Sequence, residues 1–125
     1  MQCGQGADEI FAGYSWYPPL QEAQGLGADA YVREFFDRPH AEMAELLTDA
    51  MIATEDPSTA WVQEQFGRPG ADTPVDRALR LDTQTMLIDD PVKRVDNMTM
   101  AWGLEARTPF PVSYTHLTLP TKRIV

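Results

Sequence analysis

Cysteine is nearly missing from this sequence: Cys3 stands alone in 125 residues. One thiol cannot close an internal disulfide, and Cys3 has no companion at metal-ligand spacing. Histidine is almost as scarce, with only His40 and His116, far apart, so no structural zinc site is expected. Basic residues are outnumbered, with 10 Lys and Arg against 19 Asp and Glu, for a net charge of −9. A phosphate backbone is held by clustered Lys and Arg, so nucleic acid is not an expected partner. No apolar run approaches the roughly 18 residues of a membrane-spanning helix. Met1-Gln2-Cys3-Gly4 has neither the basic nor the apolar region of a signal peptide. The expected protein is cytoplasmic, with no membrane partner.

What is present suits a globular chain of at most one domain, at 43% hydrophobic and 23% charged residues. The pattern is mainly helical. A short helix is expected from Asp8 to near Gly13, then a turn at Tyr17-Pro18-Pro19. Tyr31, Val32, Phe35 and Phe36 repeat at helical spacing within 28–36, and Pro39 opens a helix over 41–53. A further helix starts near Ser58, carries Trp61, Val62 and Phe66, and is broken by Gly67, Pro69 and Gly70. Pro74 opens another that extends toward Met86. Asp89-Asp90-Pro91 reads as a helix start, a carboxylate cap followed by proline. That helix places Val92, Val95, Met98 and Trp102 at helical spacing and stops at Gly103. Met98, Met100 and Trp102 are expected in the core, and 104–110 is expected to be extended.

Two groups of residues carry chemistry. In the first, Gly4-Gln5-Gly6 forms a tight loop that runs into a helix near Ala7, with Asp8 and Glu9 in its first turn. Such a loop normally follows a buried strand, so a strand is expected upstream. Amides at a helix start attract an anion. Carboxylates beside a phosphate need a cation between them, and Mg²⁺ bridges the two. Mg-nucleotide binding is one reading. The other is that Asp8 and Glu9 merely offset the helix macrodipole.

In the second, Asp90 and Arg94 share a helix face, Asn97 follows one turn later, and Lys93 lies about 100° round the helix. A guanidinium there forks onto a carboxylate or pyrophosphate. The alternative is an intrahelical Asp90–Arg94 ion pair on a solvated face. Glu105 and Arg107 alternate along the connector, which suits either a site or a structural salt bridge.

Together the two groups resemble the asparagine synthase family. The first is similar to that family's Ser-Gly-(Glu/Asp)-Gly-(Ala/Ser)-Asp-Glu-(hydrophobic)-Phe-Gly-Gly-Tyr, here Cys3 through Tyr14. The second resembles Asp-Asp-x-x-x-Lys-x-Asp-x-Met-Ser-Met-Ala-x-Gly-Leu-Glu-x-Arg-x-Pro-Phe, here Asp89 through Phe110. The resemblance covers roughly 2–111 and implies a mostly α fragment of an α/β synthetase domain of the adenine-nucleotide pyrophosphatase (PP-loop) type. It implies ATP and Mg²⁺ as cofactors, and a small-molecule carboxylate activated as an acyl-adenylate. Ammonia derived from glutamine in a separate domain then makes the amide. A homodimeric parent is a further expectation.

By position, the resemblance puts Cys3, Gly4, Gln5 and Gly6 at the nucleotide and Asp8 on Mg²⁺. Gln5, Asp90 and Arg94 become the catalytic candidates. Gln5 stands where the family carries an acidic residue, and a neutral amide hydrogen-bonds but takes no proton at pH 7. The segments around Gln5–Glu9 and Tyr14–Pro19 look more like the N-acetylglutaminylglutamine amidotransferase branch than asparagine synthetase itself. The family's Ser-Gly-Gly-x-Asp-Ser pyrophosphate loop, its later lysine and its nucleophilic-cysteine domain have no counterpart in this sequence, so the chain is expected to be inactive alone. After Phe110 the family's Phe-Leu-Asp continuation gives way to Pro111-Val112-Ser113-Tyr114. Residues 112–125, without an apolar face to offset ordering entropy, are expected to be a non-native or disordered tail. Two other readings stay open: a non-catalytic helical interaction module, and a ligase that closes a β-lactam-type ring by the same adenylation.

Overall fold

A computed structural model describes residues 1–110. The expectation for 112–125 lies outside the described residues. The described α-helices run in the order α1 (Ala7–Phe11), α2 (Tyr17–Gln21), α3 (Ala28–Phe35), α4 (His40–Leu46), α5 (Pro57–Gly67), α6 (Pro74–Leu81) and α7 (Lys93–Met100). Two π-helical segments, Asp82–Met86 and Ile88–Val92, lie between α6 and α7. The chain forms two compact units. One is Ser15–Leu81; the other joins Met1–Tyr14 to the described residues from Asp82 onward.

Burial within Ser15–Leu81 follows helical spacing. Tyr17 and Leu20 lie one turn apart in α2, Val62 and Phe66 in α5, and Ala78 and Leu81 in α6, and all six are buried. Tyr31 ties the helices together: its ring stacks on Phe35 at 4.9 Å and meets Phe66 at 5.3 Å, while Trp16 meets Phe35 edge-on at 5.1 Å. Such aromatic pairs contribute about 0.5–1.5 kcal/mol each beyond their buried area.

The N-termini of α5 and α6 are capped by side chains. The Asp56 carboxylate caps α5, accepting from the Ser58 and Thr59 amides and the Thr59 hydroxyl. The Thr59 bonds chiefly hold the Asp56 carboxyl below its usual range. At α6 the capping is reciprocal. Asp76 Oδ2 accepts from the Thr73 amide and hydroxyl, and Thr73 Oγ1 accepts from the Asp76 amide. At the far end of α5, Arg80 donates to the carbonyls of Gln65, Arg68 and Pro69, and Arg77 to that of Phe66. A helix C-terminus leaves such carbonyls without partners, and one α6 face supplies them.

Three expectations change in this unit and the next. Tyr17-Pro18-Pro19 opens α2 rather than making a turn, because prolines in a first helical turn give up no hydrogen bond. α4 stops at Leu46, where 41–53 was expected. It buries none of its residues, and Thr48 instead starts a local turn, its carbonyl accepting from the Met51 and Ile52 amides. Asp89-Asp90-Pro91 is no helix start either. The backbone remains helical from Leu87 through Lys93, with Pro91 inside a π-helical segment whose wider turn accommodates its ring.

The core expected on α7 is likewise absent. Met98 is 69% and Trp102 85% exposed, and Met100 is exposed as well. The period is helical, but the described residues offer no surface for that face to pack on. Residues 104–110 are extended as far as Thr108 and turn at Pro109-Phe110. They contribute one isolated parallel bridge, Gln2 with Arg107, and no strand is present among the described residues. The described architecture is mostly helical. No described helix is long and apolar enough to cross a membrane.

Gly27 precedes α3 at φ +82, and a Cβ there would lie 2.5 Å from Pro74 Cβ. Gly27→Ala is expected to destabilise by about 1–3 kcal/mol through strain and overpacking. Urea denaturation should give a lower midpoint at an unchanged m value; an unmoved midpoint would contradict this packing.

Candidate functional site

The glycine loop of the first residue group and the connector of the second meet at the chain's first residues. The Arg107 amide donates to the Met1 carbonyl at 2.8 Å, and the Cys3 amide donates to the Arg107 carbonyl at 3.0 Å. The Met1 ammonium reaches the Glu105 carbonyl at 2.8 Å, and Cys3 Sγ lies 3.6 Å from the Arg107 carbonyl. Phe11 and Phe110 add an edge-on ring contact at 6.0 Å. Glu105 and Arg107 pair with each other at 3.2 Å, as a structural bridge requires. Cys3 thus enters the loop with its amide already spent on Arg107.

The loop then turns sharply. Gly6 sits at φ 92, and the Gly4 carbonyl accepts from the Ala7 amide at 3.3 Å. Gly4 is open: a Cβ there would meet nothing within 4 Å. Gln5 is half-buried and Gly6 buried. One side of the loop is therefore accessible backbone, the arrangement a close-approaching ligand needs.

Asp8 and Glu9 do not share a role, contrary to the picture of two carboxylates beside one phosphate. Successive helical residues differ by about 100°, so one points in and the other out. Glu9 is 1% exposed and accepts from the Tyr14 hydroxyl at 2.7 Å, while Thr83 Oγ1 donates to its carbonyl oxygen at 3.4 Å. Asp8 is exposed. Asp82, wholly buried, and Asp8 add to the negative surroundings of Tyr14. Burial first, then the Glu9 hydrogen bond and the neighbouring carboxylates, push the Tyr14 phenol well above its ordinary range. Sequence reasoning passed over the Glu9–Tyr14 pair, although the five-residue step across a helix end was its only available sign.

Among the described residues no group of three or more His, Cys, Asp or Glu is placed to hold a metal ion. A Mg²⁺ ion held at Asp8 would accordingly take most of its ligands from phosphate oxygens and water. Asp90 and Arg94 stand apart from the loop. They form an exposed i,i+4 ion pair at 2.5 Å, the solvated-face alternative, and neither is hydrogen-bonded or ion-paired to residues 3–8. Asn97 is exposed beyond them. A small cleft of about 300 Å³ between α7 and the connector is lined by Asp89, Val92, Lys93, Asp96, Ala106 and Thr108, among others.

The family model for asparagine synthase matches residues 1–111. No curated protein and no solved structure matches the chain.

Tyr14→Phe removes the donor from a buried carboxylate and is expected to cost about 1–3 kcal/mol. The pH dependence has a definite sign. In the unfolded chain Tyr14 ionises near 10.0; in the folded chain it ionises only at higher pH. Its contribution is therefore complete below pH 10 and declines as pH rises above it. Urea titrations should show an alkaline loss of stability in the parent chain that is smaller in Tyr14→Phe. Identical alkaline slopes would rule out the pairing.

Proposed function

The chain belongs to the asparagine synthase family, and on that premise we propose that residues 1–110 carry part of the synthetase domain of an amidotransferase. At the level of the family this is an ATP-dependent, amidotransferase-like ligase. The proposed reaction joins ammonia derived from glutamine to a small-molecule carboxylate that ATP has adenylated. The proposed parent fold is the α/β adenine-nucleotide pyrophosphatase type, with the helical units described above as one portion of it. The N-acetylglutaminylglutamine amidotransferase branch is the proposed subgroup.

One observation carries this reading. The Gln2–Arg107 bridge joins the glycine loop to the Glu105–Phe110 connector, so the family's two most specific segments are neighbours. That is what a shared site requires and what two unrelated surface motifs do not.

Each residue has a proposed task. Cys3, Gly4, Gln5 and Gly6 offer the nucleotide an open backbone, with Gly4 the point of closest approach. Gln5 orients by hydrogen bonding and moves no proton. Asp8 would hold Mg²⁺, which when bound offsets the charge of the departing pyrophosphate. Arg94 is proposed to recognise the substrate carboxylate, exchanging its exposed partner Asp90 for it. Such an exchange is inexpensive, since an exposed pair of this kind contributes only about 0.3–0.5 kcal/mol. With no Ser-Gly-Gly-x-Asp-Ser loop in its 125 residues, this polypeptide is proposed to be inactive alone.

The test is Asp8→Asn in the complete parent enzyme. Synthetase turnover is expected to fall at least about a hundredfold, roughly 2.7 kcal/mol of barrier, while glutaminase turnover persists. A small and equal loss in both activities would instead make Asp8 a helix-dipole residue.

A further inference from the structure

We propose that Gly13 is a positioning residue for the Asp8 carboxylate, acting by leaving room for it rather than through its own backbone freedom. A Cβ built on Gly13 would lie 2.0 Å from Asp8 Oδ1, 2.9 Å from Asp8 Cγ and 3.2 Å from Asp8 Cα. By comparison, a Cβ at Gly27 would come no nearer than 2.5 Å to Pro74, and one at Gly4, Gly25, Gly67 or Gly103 would meet nothing within 4 Å. The carboxylate therefore occupies the volume that any side chain at this position would need.

The local backbone explains how the two residues come together. α1 closes at Ala12, which adopts φ 56, the only positive φ outside glycine among the described residues. That left-handed step folds the chain back, and the Gly13 amide donates to the Asp8 carbonyl at 3.0 Å. Residue 13 is thereby laid over residue 8. Glu9 sets the rotation of the helix: its burial and its bond to Tyr14 turn one face inward. Asp8, about 100° away, is turned toward the returning chain.

The absence of strain at Gly13 itself completes the argument. Gly13 is not among the glycines at positive φ, so alanine meets no dihedral penalty there. Glycine is needed at this position only for the space it leaves. An added methyl must drive Asp8 from its present rotamer into solvent, which its exposure allows, and the 3.2 Å approach to Asp8 Cα asks the backbone to give by a few tenths of an ångström. The expected consequence is a displaced carboxylate on an otherwise intact chain. Sub-ångström placement of a ligand-binding group depends on such supporting residues. This inference deepens the reading of Asp8 as the Mg²⁺-side carboxylate and rests on it for its functional meaning.

The test uses the 125-residue chain with Gly13→Ala, Asp8→Asn, the double variant, and Gly67→Ala as a control, since a Cβ at Gly67 meets nothing. Three-bond Hα–Hβ couplings report the Asp8 rotamer directly. They are expected to change in Gly13→Ala and to stay unchanged in Gly67→Ala, with both variants melting close to the parent chain. Mn²⁺ alone is then titrated, and paramagnetic broadening of the amides of residues 6–14 is followed. Gly13→Ala and Asp8→Asn should each need at least about fivefold more Mn²⁺ for equal broadening, and the double variant no more than Asp8→Asn. Unchanged Asp8 couplings in Gly13→Ala would overturn the positioning role whatever Mn²⁺ does. Changed couplings with Mn²⁺ broadening that is insensitive to Asp8→Asn would keep the positioning of Asp8 but remove its link to the metal.

Discussion

The chemistry assigned to this chain depends on one short parallel pairing, Met1–Cys3 against Glu105–Arg107. Closing a flexible loop of that length costs about 4 kcal/mol from the logarithmic term alone. Two backbone hydrogen bonds return roughly 0.5–1.5 kcal/mol each, and the Phe11–Phe110 contact a similar amount. The pairing therefore cannot hold unaided. It is reinforced within the same unit, where Thr83 Oγ1 donates to the Glu9 carbonyl.

Within Met1–Tyr14 the same economy applies on a smaller scale. α1 has five residues, too few to be stable by helix propensity, since the first turn costs more than it returns. Its stability comes from one buried carboxylate. Glu9 is desolvated, which is costly unless the group is hydrogen-bonded, and Tyr14 supplies the bond. The phenol responds by holding its proton more tightly. Glu9 serves structure, while Asp8, one residue earlier, is left exposed.

The sequence conveyed the helices well wherever apolar spacing and burial agreed, as in α3, α5 and α6. It misled where a local signal competed with the path of the chain. Asp89-Asp90-Pro91 has every residue of a helix start, yet the helical backbone continues through Pro91. Thr48-Asp49 stops α4 despite apolar residues beyond it. Met98 and Trp102 have core spacing without a core, because period records a face and says nothing of what covers it. For the site, the order and identity of Cys3–Tyr14 and Asp89–Phe110 were enough to place both segments in one family. Spacing could not separate Asp8 from Glu9, since that difference lies in which way α1 is rotated. Nor could it disclose Gly13, whose closeness to Asp8 comes from the left-handed turn at Ala12.

The pairing itself is the most direct point of attack, and amide hydrogen exchange measures it residue by residue. The Cys3 and Arg107 amides are both committed to it, while Gly4 lies just outside. The account predicts that Cys3 and Arg107 exchange at least about tenfold more slowly than unstructured amides, with similar opening free energies because they form one unit. Exchange of either at the unstructured rate, with α5 still protected, would contradict it.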